Sequence, residues 1–336
     1  MISTRTLGTG SAAESSGALG LGLMGMSGMY GPAEESDSVE TIRAAVEAGV
    51  NLLDTGDFYG MGHNEMLLGR ALKQLGLDRD AVRISVKFGA QRGPDGSWLG
   101  YDARPAAVKT ALAYTLTRLG VDHIDIYRPA RLDPNVPIEE TVGAIGELVQ
   151  AGYVRHLGLS EVGAETIRRA HAVLPVTDLQ IEYSLISRGL EESILPTTRE
   201  LGIGITAYGV LSRGLISGHW TPERSTNATD FRTHAPRFQG ENLTRNLELV
   251  EALRSAAAAK GASVAQIAIA WVLAQGTDIV PLIGARRPDR LTEALGALEV
   301  ELTAEDLAQI EKAVPKGAAS GERYAAAQMS SLDSES

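Results

Sequence analysis

The sequence predicts one (β/α)8 barrel, and three observations carry the prediction. Eight short apolar runs alternate with eight stretches of helical period along the 336 residues. Glycine or proline punctuates many helix ends, as at Gly49, Pro105, Gly120 and Gly152. Residues able to do chemistry fall just past the runs read as strands, which is where an α/β protein presents its reactive groups.

In order, a polar start to residue 16 precedes a glycine-broken run over 18–24, whose glycines let something approach the backbone. Asp37 or Ser38 can cap a helix that runs to Glu47 and stops at Gly49. The pattern then repeats: strand 50–54, helix 64–74 with Asn64 as its N-cap, strand 82–87, helix 105–119. Next come strand 124–127, helix 138–150, strand 154–160, helix 164–173, strand 178–183, helix 191–201 and strand 203–208. Residues 212–242 are rich in Gly, Pro, Thr, Asn and Arg and lack periodicity, as a functional loop does. Helices over 243–260 and 263–275, strand 278–283, and helices 288–298 and 303–314 complete the domain, set at 1–318. A Ser- and Ala-rich tail over 319–336 reads as mobile. A doubly wound sheet is the rival fold. Gly20 to Gly25 spell its G-x-G-x-x-G fingerprint, but Gly28, Gly31 and Pro32 forbid the helix that should follow.

An apolar content of 44% and a charged content of 22% are those of an ordinary globular protein, long enough to bury a large core. The absence of cysteine excludes disulfides and thiol catalysis, and no metal-ligand cluster stands out, so no metal is expected. A net charge of −11 argues against nucleic-acid or anionic-membrane partners, although a local arginine cluster can still bind an anion. Nothing near the start resembles a signal peptide, so a cytoplasmic location is expected. No feature bears on oligomeric state.

The organising stretch is Asp54-Thr55-Gly56-Asp57-Phe58-Tyr59-Gly60, read with Lys87 after the next strand. A phenol, of pKa about 10, gives up a proton reluctantly near neutrality. An ammonium beside it favours the phenolate, and a carboxylate fixes that ammonium in place. Taken singly, Asp54 could cap a turn, Tyr59 pack and Lys87 be solvated. Together at successive strand ends they suit a proton donor to a carbonyl oxygen under reduction. Arg286, Arg287 and Arg290 lie between a strand and a helix start, a place suited to a phosphate monoester.

With these pieces in place, the chain resembles the aldo-keto reductases, closest to the branch that includes potassium-channel β-subunits and many bacterial reductases. The likeness runs from about residue 19 to 298 and rests on the 54–60 stretch, on 133–141 and on 281–286. It implies hydride transfer from NADPH to an aldehyde or ketone, with Tyr59 as proton donor tuned by Lys87 and Asp54. It places Gly22, Leu23 and Met24 at the nicotinamide ribose, and Ser160 and Gln180 at the carboxamide with Glu161 beside them. Tyr208 would stack on the nicotinamide, and Gly209, Val210, Leu211, Ser212 and Arg213 would hold the pyrophosphate. Gly284, Arg286 and Arg290 would surround the 2′-phosphate, and Glu293 would read adenine. The partner implied is a small carbonyl compound, entering a mouth that includes Met26, Met29, Tyr30, Trp98, Tyr101 and Trp220.

Two departures stand out. Ala294 follows the adenine-reading position, where the family often has Asn. Ala130 stands where active members carry His, and that keeps alive a second reading, a non-catalytic or weakly active NADPH-binding sensor. Arg128, two residues before Ala130 on the strand face, or a water in the Ala130 space is expected to stand in as the missing donor, with His63 as a further candidate.

Overall fold

The structure, a computed structural model, describes residues 2–221 and 230–335; the part of the 212–242 loop expectation on 222–229 lies outside them. Eight parallel strands close into a barrel in sequence order. They are β1 (Gly20–Gly22), β2 (Leu52–Gly56), β3 (Arg83–Phe88), β4 (Ile124–Pro129), β5 (Val154–Ser160), β6 (Val176–Glu182), β7 (Gly204–Tyr208) and β8 (Ile279–Ile283). Closure is made by β8 against β1, with Leu282 opposite Gly20 and Ile283 opposite Leu21. The crossover helices are α1 (Glu35–Ala48), α2 (His63–Leu75), α3 (Pro105–Leu119), α4 (Ile138–Gln150), α5 (Ala164–Val173) and α6 (Ile194–Glu200). After β7 come α7 (Gly240–Ala259) and α8 (Val264–Ala274), and after β8 come α9 (Pro288–Leu295) and α10 (Ala304–Ala313).

Strand alternation sorts the side chains into two populations. Leu53, Ile84, Val86, Leu157, Leu179, Ile205 and Ile279 point outward and join the helices in the main core. Leu52, Ile126, Val280 and Leu282 point inward and form a small apolar floor with Leu7. Above that floor the same inward positions become polar: Asp54, Ser85, Lys87, Arg128, Asp178, Gln180 and Thr206, all buried. The barrel therefore grades from apolar at its N-terminal end to ionic at its C-terminal end, and that gradient positions the site.

Leu7 reaches the floor from an antiparallel hairpin, Thr4–Leu7 with Glu14–Gly17, that the polar start of the sequence did not reveal. Its Arg5 donates to the carbonyls of Gly276 (2.7 Å) and Leu273 (2.9 Å), binding the hairpin to the segment that ends α8. A second hairpin, Ala90–Arg92 with Trp98–Tyr101, follows β3 and stands at the mouth. Asn64 is not a cap. The cap of α2 is Gly62, and Asn64 is buried inside the first turn, donating to Leu23 O (2.9 Å) and Ser27 Oγ (2.7 Å). Residues 319–335 are packed, not loose: Arg323, Tyr324 and Leu332 are buried against the barrel. Among the described residues no single helix is long and apolar enough to cross a membrane.

Candidate active site

Asp54, at the C-terminal end of β2, lies opposite Ser85 on β3, and Gly56 lies opposite Lys87. This register brings the three side chains together inside the barrel. Lys87 Nζ forms an ion pair with Asp54 Oδ1, while Ser85 Oγ (2.8 Å) and Gln180 Nε2 (2.7 Å) donate to Oδ2. A buried carboxylate supplied with this many donors is held in one place. Burial lowers the Lys87 pKa, and Asp54 offsets part of that fall. Tyr59, on the turn after β2, is 6% exposed, and the Lys87 ammonium lies 5.1 Å from its ring centroid.

The phenol behaves differently from the expectation of an ammonium-favoured phenolate. Burial first, then the Asp54 charge, push its pKa well above the ordinary value. Desolvation outweighs the nearby cations here, because a buried phenolate loses its hydration. Tyr59 is thus kept protonated.

Arg128 does not take the place of the missing histidine. It does share a strand face with position 130, but two residues along a strand are about 7 Å, one full layer deeper in the barrel. There it is fully buried and donates to Ser85 Oγ (2.9 Å) and Asp178 Oδ2 (3.0 Å), below the mouth. Gly158 makes the room: a Cβ there would come within 3.0 Å of the guanidinium carbon. His63 is also turned away, its Nδ1 3.0 Å from Ser27 Oγ. Ala130 itself is 2% exposed, its amide donating to Phe88 O. The side chain that does reach the mouth is the next one, Arg131, which the sequence reading passed over.

Around the expected nicotinamide position, Gln180 lies opposite Ser160 and Glu182 opposite Tyr208. The Gln180 amide is engaged with Asp54, tying that side of the mouth to the catalytic pair. Glu161, at a left-handed φ of 53°, turns its carboxylate inward, where it accepts from Arg323, Ser334, Tyr208 and the Glu182 amide. Burial would raise its pKa, but Arg323 outweighs that and holds it far below the usual carboxylate range. Glu161 therefore shapes the wall and has no oxygen to spare for a ligand. Tyr324 bonds the Tyr208 hydroxyl (2.9 Å), and the Arg213 guanidinium lies 4.4 Å from its ring centroid. The sequence reading missed both Arg323 and Tyr324; the one signal was a Gly-Glu-Arg-Tyr cluster, 321–324, in a tail otherwise rich in Ala and Ser.

The loop after β7 is tightly wound. Gly209, Ser212, Arg213 and Gly214 all have positive φ, which for Ser212 and Arg213 is a strained backbone conformation. Ser212 Oγ and one terminal nitrogen of Arg213 are buried without a partner among the described residues. At β1, Gly22 lies opposite Asp54, and the Leu23 amide donates to Asp54 O at 2.9 Å, so Gly22 and Leu23 border the Asp54–Lys87 pair, with Met24 next in the chain. After β8, Gly284 is exposed, and a Cβ there would meet nothing within 4 Å. Arg286 donates to the carbonyls of Tyr30 (3.2 Å) and Pro32 (3.2 Å). Arg290 and Glu293, on α9, are bonded to each other (3.0 Å) and share His219. His219, Ser217 and Ser263 help line a cavity of about 170 Å³ beside them.

A buried Asp–Lys pair thus sits beside a buried tyrosine at the C-terminal mouth of the barrel. Comparison with known proteins bears on this directly. The chain belongs to the aldo/keto reductase family, whose model matches residues 18–315. It is 44% identical over 309 residues to a probable aldo-keto reductase 1 of Glycine max, covering 91% of this chain and 88% of that one. A glycerol dehydrogenase from Gluconobacter oxydans superposes with a TM-score of 0.83 at 29% identity, over 92% of this chain and 94% of that one. A thermostable aldo-keto reductase solved with the inhibitor epalrestat gives 0.73 at 26% identity, over 93% and 100%. The protein is an oxidoreductase of a family that generally uses NAD(P)H.

Proposed function

We propose that this chain reduces aldehydes or ketones to alcohols with NADPH, Tyr59 giving the proton. The observation that carries the reading is the Tyr59 phenol, kept protonated at the mouth beside a fixed Lys87–Asp54 pair. A general acid must hold its proton until the substrate oxygen develops charge, and the buried phenol does so. The Lys87 ammonium, anchored by Asp54, then stabilises the phenolate left behind. Ser85 and Gln180 hold Asp54 so that the ammonium does not wander.

The residues fit the nucleotide. The unpartnered Ser212 Oγ and Arg213 nitrogen are buried donors of the kind a pyrophosphate would satisfy. Arg286, its guanidinium on neutral carbonyls with no carboxylate at ion-pair distance among the described residues, suits the 2′-phosphate. Bound NADPH would supply the hydride; the chain orients it, excludes water and holds the proton on the Tyr59 oxygen. The second reading, a non-catalytic sensor, draws on Ala130 at the histidine position.

The test is NADPH oxidation over a panel of aldehydes by the parent and Tyr59→Phe. The expected result is turnover in the parent, a loss of about 10²–10⁴ in the variant, and cofactor affinity within a few-fold. Full turnover by the Phe variant would overturn the role of Tyr59, and an inactive parent that still binds NADPH would favour the sensor.

A further inference from the structure

Most arginines gathered in and under the mouth are paired; among the described residues Arg286, on the rim, and Arg131 are not. Arg128 meets Asp178 (3.0 Å), Arg213 meets Glu182 (3.2 Å), Arg232 meets Asp230 (2.6 Å), Arg237 meets Glu182 (3.6 Å) and Arg323 meets Glu161 (2.6 Å). Arg131 has no carboxylate at ion-pair distance among the described residues. One terminal nitrogen donates to the Ala130 carbonyl (2.6 Å) and lies 3.4 Å from Ser160 Oγ. The other is 3.5 Å from the Tyr324 hydroxyl. These are neutral oxygens, so the charge itself is not balanced at contact distance. The group is only partly exposed, and it is near enough to Tyr59 and Lys87 for its charge to act on both. Tyr101, from the hairpin after β3, is a further neighbour.

The Glu161 carboxylate acts on Arg131 only from beyond ion-pair distance and is itself bound by Arg323, so a partly desolvated guanidinium with no counter-ion at contact is costly unless a ligand brings one. Arg286 is in the same situation, and there the fit is to a phosphate of the nucleotide. Arg131 sits at the other end, beside the proton donor, where the substrate and not the nucleotide phosphates must lie. The small Ala130 leaves the space next to it free of a competing imidazole.

We propose that Arg131 is the anion anchor of the substrate pocket, and that the preferred substrates are aldehydes or ketones bearing a carboxylate. The planar fork of a guanidinium matches a carboxylate with two parallel hydrogen bonds, which orients the carbonyl toward Tyr59 without the missing histidine. The inference rests on the reductase reading, and its test separates the two. The parent is assayed with NADPH on 4-carboxybenzaldehyde and on its neutral methyl ester, alongside Arg131→Met and Arg131→Lys. Binding of benzoate, which cannot be reduced, is measured calorimetrically with the cofactor present.

The expected result is a kcat/KM for the acid at least about ten-fold above that for the ester, the scale of one charge-assisted contact. In Arg131→Met the acid-to-ester ratio falls at least about ten-fold, chiefly through KM, and benzoate binding weakens in step. Lys recovers part of both, as a charge without the fork would. A ratio unchanged within about two-fold, or a parent that favours the ester, overturns the anchor. If no aldehyde is turned over yet benzoate binding still depends on Arg131, the reductase reading fails and the anchor stands.

Discussion

Both oxygens of Asp54 are taken up by protein donors, whereas on the loop after β7 a buried serine hydroxyl and an arginine nitrogen have no partner among the described residues. The two regions lie at the same end of one barrel, yet the first is complete in itself and the second is complete only with a ligand. The difference follows from what each must do. A proton donor and its tuning pair work only if their geometry is fixed before the substrate arrives. A binding loop gains affinity by leaving donors for the ligand to satisfy. Unmatched atoms are not confined to the loop, since Arg128 Nε and Asp178 Oδ1 deep in the barrel also lack partners among the described residues; it is the place at the mouth that suits the loop's open donors to a ligand.

If the deep ion pairs serve the fold, breaking one should harm folding more than binding. Arg128→Leu leaves Asp178 buried without its cation, and a loss of about 3–5 kcal/mol is expected from denaturant unfolding. A loss under 1 kcal/mol would show that the deep pair is not a structural element. On the rim the order should reverse. Arg286→Ala should weaken NADPH binding by about 1.5–3 kcal/mol while leaving NADH binding and unfolding nearly unchanged, as read by titration with each nucleotide. Added salt should narrow the preference, since the group is partly solvated. Equal weakening toward both nucleotides would move the 2′-phosphate elsewhere.

Asp57 lies between these extremes. Burial first, then repulsion from Glu65, push its pKa up from 3.8 to about 7, and its Oδ1 has no partner among the described residues. A carboxyl raised in the folded state favours folding while it is protonated. That contribution is complete below about 4 and is lost as pH rises through about 7. Asp57→Asn, which cannot ionise, should therefore raise the Tm relative to the parent at pH 8.5 and change it little at pH 4. A constant difference across that range would mean that Asp57 titrates normally. The smallest effect is expected from Arg290→Ala. That side chain is exposed and already shared with Glu293 and His219, so NADPH affinity should fall by about 1 kcal/mol or less in the same titration.

What the sequence makes legible depends on how local the signal is. Each strand–helix unit carries its own apolar period and its own punctuation, so the barrel can be read unit by unit. The organising stretch and Lys87 could be joined because consecutive strands of a parallel barrel are neighbours. Arg128 was misjudged by depth: alternation gives the face of a strand but not the layer, and Gly158, the residue that makes its cavity, lies thirty positions away. The Glu161–Arg323 pair spans 162 positions and leaves no local mark. The hairpin of residues 4–17 was hidden because it is short and mostly polar; Leu7 alone reaches the floor.

That long-range pair has a consequence for the order in which the protein is made. The sheet needs nothing beyond Ile283 to close, so the barrel can be complete in outline before Arg323, 40 positions further on, is made. Until Arg323, Tyr324 and Ser334 arrive, Glu161 has no cation at ion-pair distance, and the Tyr208 hydroxyl lacks one of its two partners. The fold and the working site are thus finished at different moments of synthesis.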